Sequence, residues 1–520
     1  PAVVVLLLAM GGLVAASTLV DRRGDDAVAA EAPANGVDGG DVEVVAATPS
    51  DLAPLAPPAG AAGSTWFCAG GTADADGFAD HEVVIANTGD AGLTATMTVF
   101  GGALADDVEG RQAVAAREPV VEVLDIPART RLEVRLGDLF PAPFASALIE
   151  VQGGEVVVEH VVRGEDDLDA APCSSAAAAS WFLAAGDTRL GARELVVLFN
   201  PFPDDAVVDV RFTTPEGQRS PPELEGFVVP ARAVLAVDIG LVVSRHAQVS
   251  TSVVARAGRL VVDRLQLYTN GDEGLAVTPA APSPALLWYF PEGLVDDGVS
   301  ELVTVFNPGD VQAEVDVELV LAPTDDPTIV TAVEPFQLSI PPHQFAQVDL
   351  GAEDRVPPGL GHAVVVRSQN GNPVVAERWQ RASSSRVGLG ATLGSPVVAT
   401  RWLLAAGGTP SGGDQTEFLV VLNPSPDTIA RLTVTVPTGS QQLVPAGLEG
   451  VEVPEGGRVV LQLGRSINRD SLPLIIESTS PVVVERGIYR TDGGIAQSIA
   501  VPTEDTATVP DVDASAPPVG

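Results

Sequence analysis

The sequence predicts an all-β chain: four tandem immunoglobulin-like β-sandwich domains behind an apolar N-terminal segment. Three observations lead there. A tryptophan-led strand followed by the same string of signals recurs at Trp66, Trp181, Trp288 and Trp402. The chain is rich in Val, Ala and Gly, carries 43 prolines, and is only 4% aromatic, a composition suited to many short strands joined by turns. Apolar residues alternate or run continuously between Pro, Gly, Asn and Asp, with almost no helical period.

The repeat reads Trp, a Gly-containing loop, Glu, an apolar run, then Asn at a turn. WFLAAGDTRLGARELVVLFNP, WYFPEGLVDDGVSELVTVFNP and WLLAAGGTPSGGDQTEFLVVLNP are the clearest copies, and WFCAGGTADADGFADHEVVIANT is the divergent one. The spacing of roughly 110 residues is the size of a whole small domain, so the array is one of domains and not of solenoid turns. Boundaries fall at 65–172, 173–280, 281–394 and 395–502. Within the second repeat, about seven short strands follow one another without intervening helices, which favours a two-sheet sandwich, with a small barrel as the alternative. Each unit closes on a Gly-containing strand that leads into the next tryptophan. The short connectors predict neighbouring sandwiches in contact, stacked as a semi-rigid rod.

Residues 1–20 are apolar and long enough to span a bilayer as a helix, so they are expected to be a transmembrane anchor, or alternatively a signal segment cleaved near Val14 and Ala16. Residues 21–64 and 503–520, built from Ala, Pro, Gly and Asp, read as a disordered linker and tail. Residues 42–46 within that linker read as a candidate but isolated strand. Cys68 and Cys173 bracket the first repeat. In an exported protein they are expected to form a disulfide, the alternatives being free thiols or a metal pair. A formal charge of −40, with arginine as the sole basic residue apart from five histidines, argues against nucleic acid as a partner.

The phrases WYFPEG with VFNP, SQNGNPVVAERW and STSPVVVERGIY resemble a repeat found in exported actinobacterial proteins. The resemblance is to domain of unknown function 5719 and extends over most of residues 66–502. It implies an exported β-sandwich array without catalytic residues to carry over. The first repeat departs from the pattern in having Asn87-Thr88 for Asn-Pro and Glu159-His160 where later copies place an acid before Arg.

Two ionisable features recur. One is the second-strand glutamate, Glu82, Glu194, Glu301 and Glu417. The other is a late doublet, Glu159-His160, Asp263-Arg264, Glu377-Arg378 and Glu485-Arg486. Neighbours on a strand face opposite ways, so an acid and base in one doublet cannot work as one catalytic pair, and cross-strand structural pairing is the expectation. Asp74, Asp76 and Asp80 resemble the opening of a calcium loop but lack its distal glutamate, so a solvated turn is expected, with weak calcium binding the alternative. Asp296-Asp297 and Asp325-Asp326 read as similar turns. No metalloprotease, nucleophile-elbow or CxxC motif is present, and Gly388 to Gly390 is a poor phosphate loop. The repeat tryptophans are expected to anchor cores, which leaves Trp379 as the candidate for an exposed contact.

The resulting expectation is a non-enzymatic, exported cell-envelope protein, without cofactors, that sits at the cell surface or on the membrane with its domains outside the cytoplasm. It would act as an acidic spacer or protein-interaction module, with open sheet edges as the contact surface. The alternative is an adhesion module that binds glycan or Ca²⁺ through the first-repeat loops or exposed aromatics.

Overall fold

The computed structural model describes residues 47–268, 274–324, 332–383, 387–491 and 493–511. The apolar segment 1–20, linker residues 21–46, the acidic turn at Asp325-Asp326 and tail residues 512–520 lie outside the described residues. Among those described, no helix is long and apolar enough to cross a membrane.

The chain is all-β, and the described part of each repeat is built on two antiparallel sheets; the first and third repeats have eight strands, and the second and fourth add short strands such as Gly217–Arg219 and Gln442–Leu443. In the third repeat, one sheet orders Leu287–Phe290, His362–Ser368, Ala313–Leu321 and Phe336–Ile340. The other orders Gln344–Asp349, Val299–Asn307, Val375–Ser383 and Val387–Leu393. By position in the repeat these sheets run 1-6-3-4 and 5-2-7-8. The first repeat has the same order, with Leu93–Leu104 as its third strand, Val120–Ile126 its fourth, Val156–Arg163 its seventh and Leu168–Pro172 its eighth. Eight strands replace the expected seven, and the order is not the A-B-E-D and C-F-G arrangement of immunoglobulin domains. In the fourth repeat the sixth and seventh strands fuse into the 17-residue strand Leu474–Arg490, which passes from one sheet to the other.

Two recurring side chains explain why the same sequence signals give the same fold. The four repeat tryptophans are at most 2% exposed, each with its indole N–H donated to an oxygen, as from Trp288 Nε1 to Val374 O at 2.7 Å. The turn asparagine fastens the second strand to the end of the fourth. Asn307 Nδ2 donates to Val311, Ile340 and Pro341 carbonyls at 2.8, 3.0 and 3.2 Å, and its Oδ1 accepts from Gly309 N. Asn87 makes the corresponding set although no proline follows it.

The repeats are not stacked as a rod. Their eighth strands, Leu168–Pro172, Gly274–Pro279, Val387–Leu393 and Ile495–Ile499, pack on one another in cyclic order, the fourth against the first. Buried apolar clusters cross the junctions. Phe100 meets Phe199 between repeats one and two, and Leu403, Ala405 and Ile475 join the core of repeat one from repeat four. Residues 47–511 therefore make a closed ring with the eighth strands at its axis. Glycines opening these strands permit the close approach. A Cβ on Gly274 would collide with Leu389, one on Gly388 with the backbone of Ile495, and one on Gly494 would crowd the backbone of Leu168.

The linker and tail expectations need correction at their inner ends. Leu52 and Ala56 are 2% and 0% exposed, and Ala56 pairs with Thr503 through Ala56 N to Pro502 O and Glu504 N to Ala56 O, both 2.9 Å. Thr508 bridges Val398. Leu52, Ala53 and Pro54 share a cavity of about 50 Å³ with Ala171, Val277, Ala391 and Ser498, one residue from each axial strand. Small side chains in these segments made them look incapable of packing, but Leu52 has the shared axial core of the ring to enter.

Candidate functional site

The recurring ionisable residues meet at the four junctions. Each doublet lies on the seventh strand, where consecutive side chains leave opposite faces, so its acid reaches back to the preceding repeat and its base forward to the next. Arg264 Nη1 lies 2.8 Å from Glu377 Oε2, Arg378 Nη2 2.6 Å from Glu485 Oε1, and Arg486 Nη2 3.0 Å from Glu159 Oε1. The last pair closes the ring across 327 residues. All six side chains are at most 1% exposed. Arg378 and Arg486 engage their carboxylates through two nitrogens each.

Buried charges persist only where further hydrogen bonds replace water, and the repeat supplies them. The loop after each tryptophan strand donates backbone N–H groups to the next repeat's acid. Ala184 N lies 2.7 Å from Glu377, Glu292 N 2.8 Å from Glu485, and Ala405 and Ala406 N both 2.6 Å from Glu159. Each arginine also meets a hydroxyl directly opposite on its own eighth strand: Thr278, Thr392 or Ser498.

Three of the second-strand glutamates, Glu194, Glu301 and Glu417, stand beside the same arginines. Burial pushes Glu194 up to about 8 and Glu417 up to about 7, with Arg264 and Arg486 opposing the shift. Burial also favours the neutral form of Glu301, but its His362 and Arg378 neighbours hold it below the ordinary carboxylate value. Glu82, paired with Arg163 at 3.0 Å, is raised by burial.

The first junction breaks the series. His160 replaces arginine, Ala171 replaces the hydroxyl opposite it, and His160 Nε2 is 3.8 Å from Asp263 Oδ2. His160 Nδ1 contacts His81 Nε2 at 3.1 Å, while His81 Nδ1 meets Ala145 O at 2.7 Å. Burial holds His81 down at about 4 and His160 well below its ordinary value, so both rings are neutral at pH 7. Asp263 accepts from Ala69 and Gly70 N at 3.1 and 3.0 Å, yet burial pushes it up to about 7. This junction is braced instead by parallel pairing of Gly102, Ala103 and Leu104 with Val234, Leu235 and Ala236. Asp169, which sequence reasoning passed over, adds a bond from Val277 N at 2.8 Å. Its only sequence signal is an acid in an axial strand where the other repeats place Ala276, Gly390 and Ala496.

These shifts set a pH dependence. Folded Glu194 keeps its proton up to about 8, whereas an unfolded glutamate loses it near 4.5, so between these values the folded state binds more protons and stability falls as pH rises. Glu417 and Asp263 act the same way up to about 7. The urea midpoint is expected to be lower at pH 8.5 than at pH 6.5, with a smaller difference in Glu194→Gln. Equal midpoints in the parent chain would contradict a buried neutral Glu194.

The remaining sequence candidates divide. Cys68 and Cys173 form a disulfide, Cα to Cα 4.7 Å. Asp80 is held by Arg135, whereas Asp74 and Asp76 are exposed on a turn closed by Gly77 N to Asp74 O at 3.1 Å. Among the described residues no group of three His, Cys, Asp or Glu side chains is placed to hold a metal ion. Trp379, the candidate for an exposed contact, is 6% exposed and packs with Tyr268, Ala276 and Leu389 between repeats two and three. Gly388 and Gly390 lie in an axial strand and not in a phosphate loop.

Residues 163–376 match the family model described as Family of unknown function (DUF5719). No curated protein matches the sequence. Among solved structures, the crystal structure of Thermotoga maritima 1070 is similar at 20% identity, covering 22% of this chain and 94% of that one, with a TM-score of 0.19. The Anabaena sensory rhodopsin transducer is similar at 22% identity, covering 18% of this chain and 83% of that one, with a TM-score of 0.15. At these scores neither likeness carries an inference about activity.

Proposed function

We propose that this chain is a non-enzymatic, exported cell-envelope protein whose four tandem β-sandwich modules, immunoglobulin-like in having two packed antiparallel sheets, close into an acidic scaffold for protein interaction. Residues 1–20 anchor it in the membrane and the ring stands outside the cytoplasm. The observation that carries this reading is the use of the recurring doublets. Their acids and bases are spent on holding repeats together, as a scaffold requires, and a catalytic centre would need such groups free beside a substrate cleft. The disulfide is compatible with an oxidising compartment. The axial strand edges are hidden, so interaction falls to the outer sheet edges, including Val120–Ile126 with Val121 and Val123 58% and 67% exposed.

The test is a C-terminal alkaline phosphatase fusion of the full chain in a bacterial host, combined with membrane fractionation and maleimide labelling of cysteines. An active phosphatase, membrane-bound chain and unreactive cysteines are expected. Inactive phosphatase with both cysteines labelled in the native chain would place it inside the cell and end this reading.

A further inference from the structure

Repeat one carries the α-helix Val108–Ala115 between its third and fourth strands, where the described parts of the other repeats have no α-helix and repeat two has only the 3-10 turn Pro222–Leu224. Asp107 caps it, accepting from Gly110 N at 2.9 Å, yet none of its residues is buried. Only Val114, half-buried, packs against the core of repeat one, and the rest of the helix walls a cleft.

The cleft has a volume of about 400 Å³ and lies between this helix and the first junction, within the size range of small-molecule sites. Its floor is apolar: Phe100, Ala103, Phe140, Val234 and Leu235. Gly101 and Gly102 let the strand pass against Phe140 and Val234, where a Cβ at either position would collide. Its rim carries Arg111, Arg117 and Arg232 against one carboxylate, Glu118.

None of these three arginines forms an ion pair among the described residues, whereas most arginines of this −40 chain that line junctions do. Arg111 Nε is fully enclosed without a hydrogen-bond partner. Arg117 stacks on Phe140, Cζ 3.8 Å from the ring centroid, and gives Nη1 to Pro141 O at 2.6 Å, which fixes its guanidinium at the mouth. A local excess of positive charge over an apolar floor complements a ligand with one anionic end and an apolar body. An inorganic anion would leave the floor wet, and a neutral hydrocarbon would leave the arginines unmatched.

We infer that this cleft binds a single-chain amphipathic anion, an acyl or alkyl chain with a carboxylate or phosphate head, its chain on Phe100, Val234 and Leu235 and its head between Arg111 and Arg232. This site is independent of the scaffold role proposed above.

The test uses the full chain and a diazirine-bearing decanoic acid photoprobe below its micellar concentration, with crosslinks mapped by mass spectrometry. Label is expected in peptides covering residues 108–119 and 230–235, competed by decanoate and decyl phosphate at least tenfold better than by decanol. Arg111→Gln/Arg232→Gln and the cleft-filling Ala115→Trp each reduce that label at least tenfold, while the melting temperature stays unchanged. Competition by monomeric decanoate identifies the free single-chain anion expected here, and competition by anionic phospholipid vesicles without competition by decanoate would point to a two-chain bilayer lipid and overturn the assignment. Label confined to other peptides, or undiminished in both variants, would overturn it.

Discussion

Arg486→Met lowers the unfolding free energy by about 3–5 kcal/mol, the cost of leaving a buried carboxylate without its cation. Glu159 is the carboxylate in question. It is 0% exposed and keeps the N–H groups of Ala405 and Ala406, but its ion pair also closes the ring. The double substitution Glu159→Gln/Arg486→Met is expected to recover most of the loss, because a neutral amide no longer requires the guanidinium. A surface control sets the scale. Arg431 and Glu452 are more than half exposed, and Arg431→Met should cost no more than about 1 kcal/mol. Urea unfolding of the parent chain and the three variants checks the series. If Arg486→Met and Arg431→Met proved alike, the closing pair would have no special weight.

Removing the disulfide through Cys68→Ala/Cys173→Ala costs about 4–5 kcal/mol in the chain-entropy description, since the bond closes a separation of 105 residues. The loop is the whole first repeat, whose junction with the second lacks a buried cation. The effect operates on the unfolded chain, so the folded ring should keep its contacts. Thermal unfolding of the oxidised chain, the reduced chain and the double alanine variant tests this. The latter two should fall together, well below the first, and coincidence of all three would rule out the stabilisation.

The all-β class and the disulfide were legible because a tryptophan, a turn asparagine and a cysteine each act on residues close in the repeat pattern. The closed ring was not. A doublet such as Glu377-Arg378 states only that its two side chains face opposite ways. It does not state that the last base, Arg486, returns to the first acid, Glu159, 327 residues earlier. The pattern did hold a clue. In a rod the first acid, Glu159, and the last base, Arg486, would be left on the two end faces without partners, whereas closure pairs them. The burial of Trp379 is hidden from the sequence for the same reason, since Tyr268 and Ala276 around it come from the preceding repeat. The helix Val108–Ala115 escaped notice because it buries no residue and so shows no apolar stripe. The inner linker hid its packing because Leu52 joins a core cluster drawn from other repeats and lines a cavity shared with all four axial strands, surroundings absent from its own neighbourhood.

Closure by the last repeat also dictates a timetable. In a linear repeat array each unit can settle against its predecessor as it emerges. Here the first repeat presents Glu159 long before Arg486 exists, and at ~5–20 residues per second the interval is roughly 15–65 s. During that time the carboxylate and the exposed half of its junction must wait in water, so the first repeat matures last although it is made first. A nascent chain released early, short of the fourth repeat, carries an unsealed apolar face and becomes a substrate for quality control rather than a smaller version of the same protein.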